Sequence, residues 1–282
     1  MSRPDLERQR KAEAFRALHH AAEPLVLVNV WDVASARIVE QAGFPALATT
    51  SAGIAFSEGY PDGEQIPADR MFAGIARIAA AVHVPVTGDV EAGYGRTPES
   101  AFQTAQSMIS AGAVGMNFED ATGDADRPLA DLSLQVERIR AIREAAARFD
   151  VALVLNARTD VYLLQVGEPG GRYDETVRRL TAFRDAGADC VFAPGVRDAV
   201  TIGRLVKDLT CPLNILASPG GPTVAELGAL GVKRISLGSG PMRAAMGTLR
   251  RLAEEVKTKG AWSAMDGAPS HAEMNALMER NS

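Results

Sequence analysis

A closed (β/α)8 barrel of the TIM type, with an N-terminal helix before it and a helical tail after it, is the fold class that the sequence predicts. Four observations predict it. Short apolar or β-branched runs alternate with amphipathic helical runs from about residue 25 to 257, and that alternation implies a parallel sheet. Eight such units in about 250 residues is the size of a closed barrel. The helix-to-strand joints also repeat: residues 41–44 (QAGF), 110–113 (SAGA), 185–188 (DAGA) and 229–232 (ALGV) each put Gly at a helix end just before a strand. Finally, polar residues stand at the C-terminal ends of the first five strands, which in a barrel all open on one mouth. A doubly wound open sheet is the runner-up, but no GxGxxG follows the first strand to favour it.

Taken in order, residues 4–20 read as an amphipathic covering helix with Leu6, Phe15 and Leu18 among charges. The first strand is expected at 25–30, and the helix after it, from Val33, stops at Gly43. Strand two is 46–50, followed by a helix at 68–81. Strand three is Val84 to Glu91, where Thr87, Asp89 and Glu91 project to one side and Val86, Gly88 and Val90 to the other. Two carboxylates on one face repel, and a divalent metal is the simplest compensator. Gly93-Tyr94-Gly95 then turns the chain, and Thr97-Pro98 caps the helix at 99–111. Strand four (114–119), a long helix to about Arg148, and strand five (151–158) follow, the last with Asn156, Arg158 and Asp160 on its polar side. Three further units place strands at 189–193, 213–217 and 234–237, and a final helix runs over 241–257. The expected division is one barrel domain, 1–260, and a linker with a C-terminal helix, 261–282. In that tail Ser270 and Glu273 form a capping box, and Met274, Leu277 and Met278 share a face.

Composition excludes several classes. With 46% hydrophobic and 23% charged residues the chain is neither disordered nor membrane-spanning, since no 18-residue apolar run exists. A net charge of −5 with no basic block argues against nucleic acid and anionic membranes as partners. The charged N-terminal stretch has no apolar signal core, so a cytoplasmic protein is expected. Cys190 and Cys211 form no metal or redox spacing and read as small buried hydrophobes. A small molecule is the expected partner.

At the predicted mouth stand Asn29, Asp32, Thr49 to Gly53, Asp89, Glu91, Asn117, Glu119, Asn156 and Arg158, with Asp62 within reach from the loop EGYPDGE. Asp32, Asp120 and Asp160 read individually as capping or solvated loop residues. Several acids with one arginine, and no histidine at a strand end, describe a hard-oxygen site: Mg2+ (or Mn2+) held partly through waters, with Arg158 free to grip a carboxylate.

The segments NVWDVASARIVEQAGFPALATTSAGIA, DVEAGYG, NFED and NARTD, in that order and on those strands, resemble the isocitrate lyase / phosphoenolpyruvate mutase superfamily over residues 20–257. The resemblance implies a Mg2+-dependent enzyme that makes or breaks a C–C or P–C bond next to a 2-keto or 2-hydroxy carboxylate, through an enolate. It also implies roles. Asp89 would be the direct metal ligand, Asp62, Glu91 and Glu119 would hold its waters, Thr50-Ser51-Ala52 would bind the substrate carboxylate, and Arg158 would contact substrate. Catalytic duties would fall on Arg158, Glu119 and Asp62.

Two departures qualify the match. The family's DxD is Asp89-Val-Glu91 here. The KxCGH lid that carries the acid/base cysteine of isocitrate and methylisocitrate lyases is replaced by ATGDADRPLADL, without Cys, Lys or His, and the phosphonomutase Lys/Asn lid is missing too. A short-lid lyase of the oxaloacetate decarboxylase kind is therefore expected. The alternatives are a 2-keto acid binding protein with little turnover, a C–C or P–C bond hydrolase, or a phosphonomutase. By the same resemblance the chain should form a homo-oligomer, a tetramer, through its C-terminal helix.

Overall fold

The ring is closed by one strand that serves two neighbours. In the structure, a computed structural model that describes residues 3–279, the first strand is split at Val28 into β1 (Leu25–Leu27) and β2 (Asn29–Val30). The chain continues through β3 (Leu47–Thr49), β4 (Val86–Asp89), β5 (Gly115–Glu119), β6 (Val154–Arg158), β7 (Cys190–Phe192), β8 (Leu213–Leu216) and β9 (Arg234–Ser236). Every pairing is parallel, in the order β1-β9-β8-β7-β6-β5-β4-β3-β2. Because β1 and β2 are one segment, the sheet returns to itself as the predicted eight-stranded barrel. Asn29 staples the closure: its Nδ2 donates to Thr49 O, and its Oδ1 accepts from the N–H groups of Leu237 and Gly238 just past β9.

Helices surround the ring: α1 (Arg3–Leu18), α2 (Val33–Gln41), α3 (Ser51–Ser57), α4 (Ala68–Ala81), α5 (Pro98–Ser110), α6 (Leu132–Arg148), α7 (Arg172–Asp185), α8 (Ala199–Leu209), α9 (Val224–Ala229), α10 (Gly240–Lys259) and α11 (His271–Met278). The four joint glycines, Gly43, Gly112, Gly187 and Gly231, have φ of 87°, 84°, 112° and 89°, which only glycine adopts at no steric cost. Capping boxes at Asp32/Ser35, Thr97/Ser100, Thr223/Glu226 and Ser270/Glu273 start α2, α5, α9 and α11. The outer layer is apolar, with Ile75 and Ile78 of α4, Met108 of α5, Ile139 and Ile142 of α6 and Phe183 of α7 all buried. Gly88 on β4 lets α5 pack close, since a Cβ there would push aside the Met108 methyl and crowd Ile75.

Three readings change. Residues 51–57 form a helix that composition did not signal, because its run SAGIAFS is small and apolar with no polar face to mark a period. The third and fifth strands begin two and three residues later than expected, at Val86 and Val154. Cys211 is only half-buried, whereas Cys190 is fully buried. No helix among the described residues is long and apolar enough to cross a membrane.

The N-terminal end of the barrel is plugged by α1. Phe15 is fully buried, and a Cβ on Gly115, at the start of β5, would stand 2.6 Å from its ring. Beside it, His19 Nδ1 lies 2.8 Å from Phe15 O and Nε2 lies 3.3 Å from Arg234 Nη1. Arg234 can only donate, so Nε2 accepts and the ring is the neutral Nδ1–H tautomer. Burial, reinforced by the Arg234 charge, pulls its pKa down to about 3. A folded pKa below the unfolded value means that this site supports folding fully above about pH 6.5 and progressively less as pH falls from there toward 3. We expect up to about 1.4 kcal/mol of stability lost per pH unit in that window. His19→Gln, which cannot titrate, should flatten the acid limb of urea midpoint against pH. An equally steep limb in the variant would refute the assignment.

Candidate active site

The C-terminal mouth is organised by β4. Asp89 ends that strand almost fully buried, and its backbone N–H donates to Thr49 Oγ1 at 3.0 Å. Its Oδ2 accepts from the N–H and hydroxyl of Ser51 at 3.3 and 3.0 Å, at the start of α3. Thr50 caps that helix by accepting from Gly53 N–H, and Thr50, Ser51 and Ala52 are all buried. The amide expected to bind a substrate carboxylate is thus turned to Asp89. The other oxygen, Asp89 Oδ1, is buried with no hydrogen-bond partner.

Glu91 follows in the left-handed region, φ 53°, a conformation that costs a non-glycine residue about 1–3 kcal/mol and so persists only where surroundings enforce it. Its Oε2 accepts from Glu64 N–H at 2.7 Å, and its Oε1 is buried without a partner. Burial, then the nearby Asp62 and Asp89 charges, push its pKa up to about 8. Asp62, on an exposed loop position, is also pushed upward, by local desolvation and then by the Asp89 charge.

Across the mouth, β5 and β6 set Glu119 and Arg158 side by side, being Cα partners in the ladder. Arg158 Nη1 pairs with Glu119 Oε2 at 2.7 Å. Its Nε and Nη2 donate to the two oxygens of Asp160 at 2.6 and 2.9 Å. Burial opposes the Arg158 charge, but Glu119 and Asp160 outweigh burial and hold it firmly protonated. For Glu119 burial dominates over Arg158 and raises its pKa. Arg158 is therefore not free, as the sequence suggested; it is held in a fork that leaves one hydrogen on each Nη for a further acceptor.

Asp160 and Asp120 are not solvated loop residues. Asp160 is 2% exposed and orients Arg158. Asp120, fully buried, accepts from Thr159 Oγ1, Asp160 N–H and Arg179 Nη1, tying the end of β5 to the loop after β6. The signal for Asp160 was present, two residues beyond Arg158 on the same side. Asp32, by contrast, is the helix cap it was taken for. The helix α6 was expected from sequence, but the contacts it makes beneath the mouth were not. Its Gln135 donates to Glu119 O, and its fully buried Arg138 donates to the carbonyls of Ala92 and Gly95 while lying 4.6 Å over the Phe118 ring. Below the acids Asn117 accepts from Asn156 and Arg234, a polar floor inside the barrel.

Among the described residues no three His, Cys, Asp or Glu side chains converge into a ready metal cage. The donors nonetheless suit a hard divalent ion bound partly through water. Asp89 Oδ1 and Glu91 Oε1 are buried acceptors with nothing to accept from, and the neighbouring Asp89 charge pushes the pKa of both Asp62 and Glu91 upward. The cavity of about 600 Å³ lined by Arg37, Glu40, His83 and Leu277 lies elsewhere, at the helix C-terminal ends where α11 docks on α2.

A parallel barrel with carboxylates and one held arginine at its C-terminal mouth defines a barrel enzyme of the kind that handles small anionic substrates. Residues 15–257 match the phosphoenolpyruvate phosphomutase family, and the chain belongs to it, within the superfamily of lyases and mutases shared with isocitrate lyase. It is 35% identical over 233 residues to an uncharacterized protein of Mycobacterium tuberculosis (strain ATCC 25618 / H37Rv), covering 83% of this chain and 84% of that one. It is 31% identical over 227 residues to oxaloacetate decarboxylase of Pseudomonas aeruginosa (strain LESB58), 78% and 76% of the two chains. To 2-methylisocitrate lyase of Escherichia coli (strain K12) identity falls to 28% over 206 residues, 71% and 68% of the chains. Among solved structures, a protein of Burkholderia cenocepacia J2315 provisionally assigned as a lyase/mutase superposes with TM-score 0.92 at 40% identity over 98% of both chains. A phosphonopyruvate hydrolase in complex with oxalate and Mg2+ superposes with TM-score 0.83 at 25% identity, over 95% and 94%.

Proposed function

We propose that the protein is a Mg2+-dependent lyase that cleaves a C–C bond adjacent to a small 2-keto or 2-hydroxy (di)carboxylate. The observation that carries this reading is the pair of buried, unpartnered carboxylate oxygens, Asp89 Oδ1 and Glu91 Oε1, facing a mouth that also presents a pre-oriented arginine. Asp89 would ligate the ion directly, while Glu91, Glu119 and Asp62 would hold its waters. A bound Mg2+ supplies Lewis acidity that stabilises negative charge on a neighbouring oxygen. The chain's own part is positional. Ser51 fixes which Asp89 oxygen stays available, Asp160 fixes the plane of Arg158, and the two remaining Arg158 hydrogens bind a substrate carboxylate. Asp62, whose pKa is raised by desolvation and by Asp89 and which stands on an exposed loop, would carry a proton.

The test is pyruvate or enolate formation from oxaloacetate, citramalate, 2,3-dimethylmalate, methylisocitrate and phosphonopyruvate with Mg2+ present, repeated in EDTA. No metal-dependent turnover of any, with oxalate and Mg2+ still bound by calorimetry, would favour the binding-protein reading, to which the lid without Cys, Lys or His lends support.

The lid also sets an expectation about the cysteines. Burial pushes the Cys190 thiol to about 12 and Cys211 to about 11, so neither is a ready proton donor or thiolate. Methylisocitrate and isocitrate turnover should be negligible, and replacing both cysteines by Ala should leave activity intact. Inactivation by a thiol reagent that the cysteine-free protein escapes would contradict this.

Assembly as a homo-oligomer belongs to the same proposal. Of the 20 residues in α10 only Met242 is buried, and Met246, Leu249, Val256, Trp262 and Met265 leave an apolar face exposed. Light scattering at micromolar concentration should give a mass above that of one chain, and a monomeric mass would reject it.

A further inference from the structure

Three loops around the mouth are joined through two residues to which no role has been given above, Glu64 and Arg96. Glu64 donates its N–H to Glu91 Oε2 at 2.7 Å and accepts Tyr94 N–H on Oε1 at 2.7 Å. Its Oε2 meets Arg96 Nη2 at 3.3 Å. Arg96 in turn donates to the carbonyls of Ala121 and Thr122 at 3.0 and 2.6 Å, the first residues of the lid. The lid is pinned to itself at the same point, with Ala121 bridging Leu129 and Thr122 N–H donating to Pro128 O. Holding one end of the lid therefore holds both.

Backbone conformation marks the same residues. Six non-glycine residues among those described have positive φ, and Glu64 (58°), Glu91 (53°) and Tyr94 (54°) are three of them. Each conformation is unfavourable for a side-chain-bearing residue, so their concentration in one hydrogen-bonded set means that the set is enforced from outside. Arg138 supplies the enforcement from below, through the carbonyls of Ala92 and Gly95, and Arg96 supplies it from the lid side.

We propose that Glu64 and Arg96 are positioning residues that form a latch. They tie the lid's hold on the barrel to the placement of the Glu91 carboxylate, so that an ordered lid and an ordered metal-facing acid are one state. The inference rests on the reading of Glu91 as part of a metal site. It adds that lid and acid are coupled, with neither latch residue touching the reacting atoms. Arg96 is about half exposed, so its replacement leaves the core intact, whereas the Glu64 side chain is only 16% exposed and is replaced by the isosteric Gln to keep its packing.

The experiment is hydrogen exchange by mass spectrometry on full-length, substrate-free protein, comparing wild type with Arg96→Gln, Glu64→Gln and the double variant. Calorimetric titration with Mg2+ alone accompanies it. Each single variant should speed exchange by about tenfold or more both in lid peptides (120–131) and in peptides covering 60–66 and 90–96, with the barrel helices unchanged. The double variant should add little to either single, because both break one device. Mg2+ affinity should fall about 10-fold in each. Faster exchange in the lid alone, additive effects in the double variant, or no change in either segment would overturn the coupling. A wild type that binds no Mg2+ would sink the metal-site reading instead, and the exchange pattern would still decide whether lid and acid loop move together.

Discussion

Replacing Asp89 by Asn should abolish Mg2+ binding at millimolar concentration and lower metal-dependent turnover by about 10²- to 10³-fold, the largest loss of any isosteric change at the mouth. The reason lies in how Asp89 is held. Ser51 gives Oδ2 two hydrogen bonds, from N–H and O–H, which keeps Oδ1 turned to the site. An asparagine that preserves those contacts must put its carbonyl oxygen at the Oδ2 position and its NH2 where Oδ1 was, presenting donors to a cation. The flipped amide faces its NH2 to the Ser51 N–H, donor against donor. The first orientation removes the ligand, and the second offers the cation only a neutral carbonyl oxygen at the cost of that donor–donor clash. Glu91→Gln should do less, because Glu64 N–H can still be accepted by the amide oxygen and only a water-mediated contact is weakened. Urea midpoints should show Asp89→Asn at least as stable as wild type, since a charge that raises Asp62 and Glu91 is gone. Unaltered Mg2+ affinity in Asp89→Asn would remove the metal assignment.

Arg158→Lys should also cost about 10²-fold or more in turnover, although it conserves charge. A lysine ammonium cannot lie flat between Glu119 and the two oxygens of Asp160 while still offering hydrogens to substrate. Arg158→Met goes further and strands two buried carboxylates, for which about 3 kcal/mol of destabilisation at neutral pH is expected. The deficit should shrink as pH falls. Burial already raises the Glu119 pKa, and without its cation it takes up a proton more readily and sheds the buried charge. Asp160→Asn should lower turnover through the arginine, by freeing its plane, with little change in Mg2+ affinity. Full activity in Arg158→Lys, or a stability deficit in Arg158→Met that does not depend on pH, would mean that the fork is a structural ion pair alone.

The barrel was legible because its evidence is local. Period-two alternation along β4 fixes that Asp89 shares a side with Thr87, and an Ala-Gly joint before a strand fixes a left-handed turn, whatever the rest of the chain does. Hence the strand ends carrying Asp89, Glu119 and Arg158, and the C-terminal capping box, could be placed from sequence.

What only tertiary structure decided is which of these groups are already spoken for. The shear of the barrel brings Glu119 beside Arg158, and closes Asn29 onto Leu237 and Gly238. The helix at 51–57 turns an amide toward Asp89, α6 reaches under two loops with Arg138, and Arg96 joins the lid to Glu64. Each of these contacts spans at least 25 residues of chain, so no sequence period reports it. A side chain's pattern says which way it points; its partner, and with it its charge state and freedom, depends on what the closed ring brings opposite.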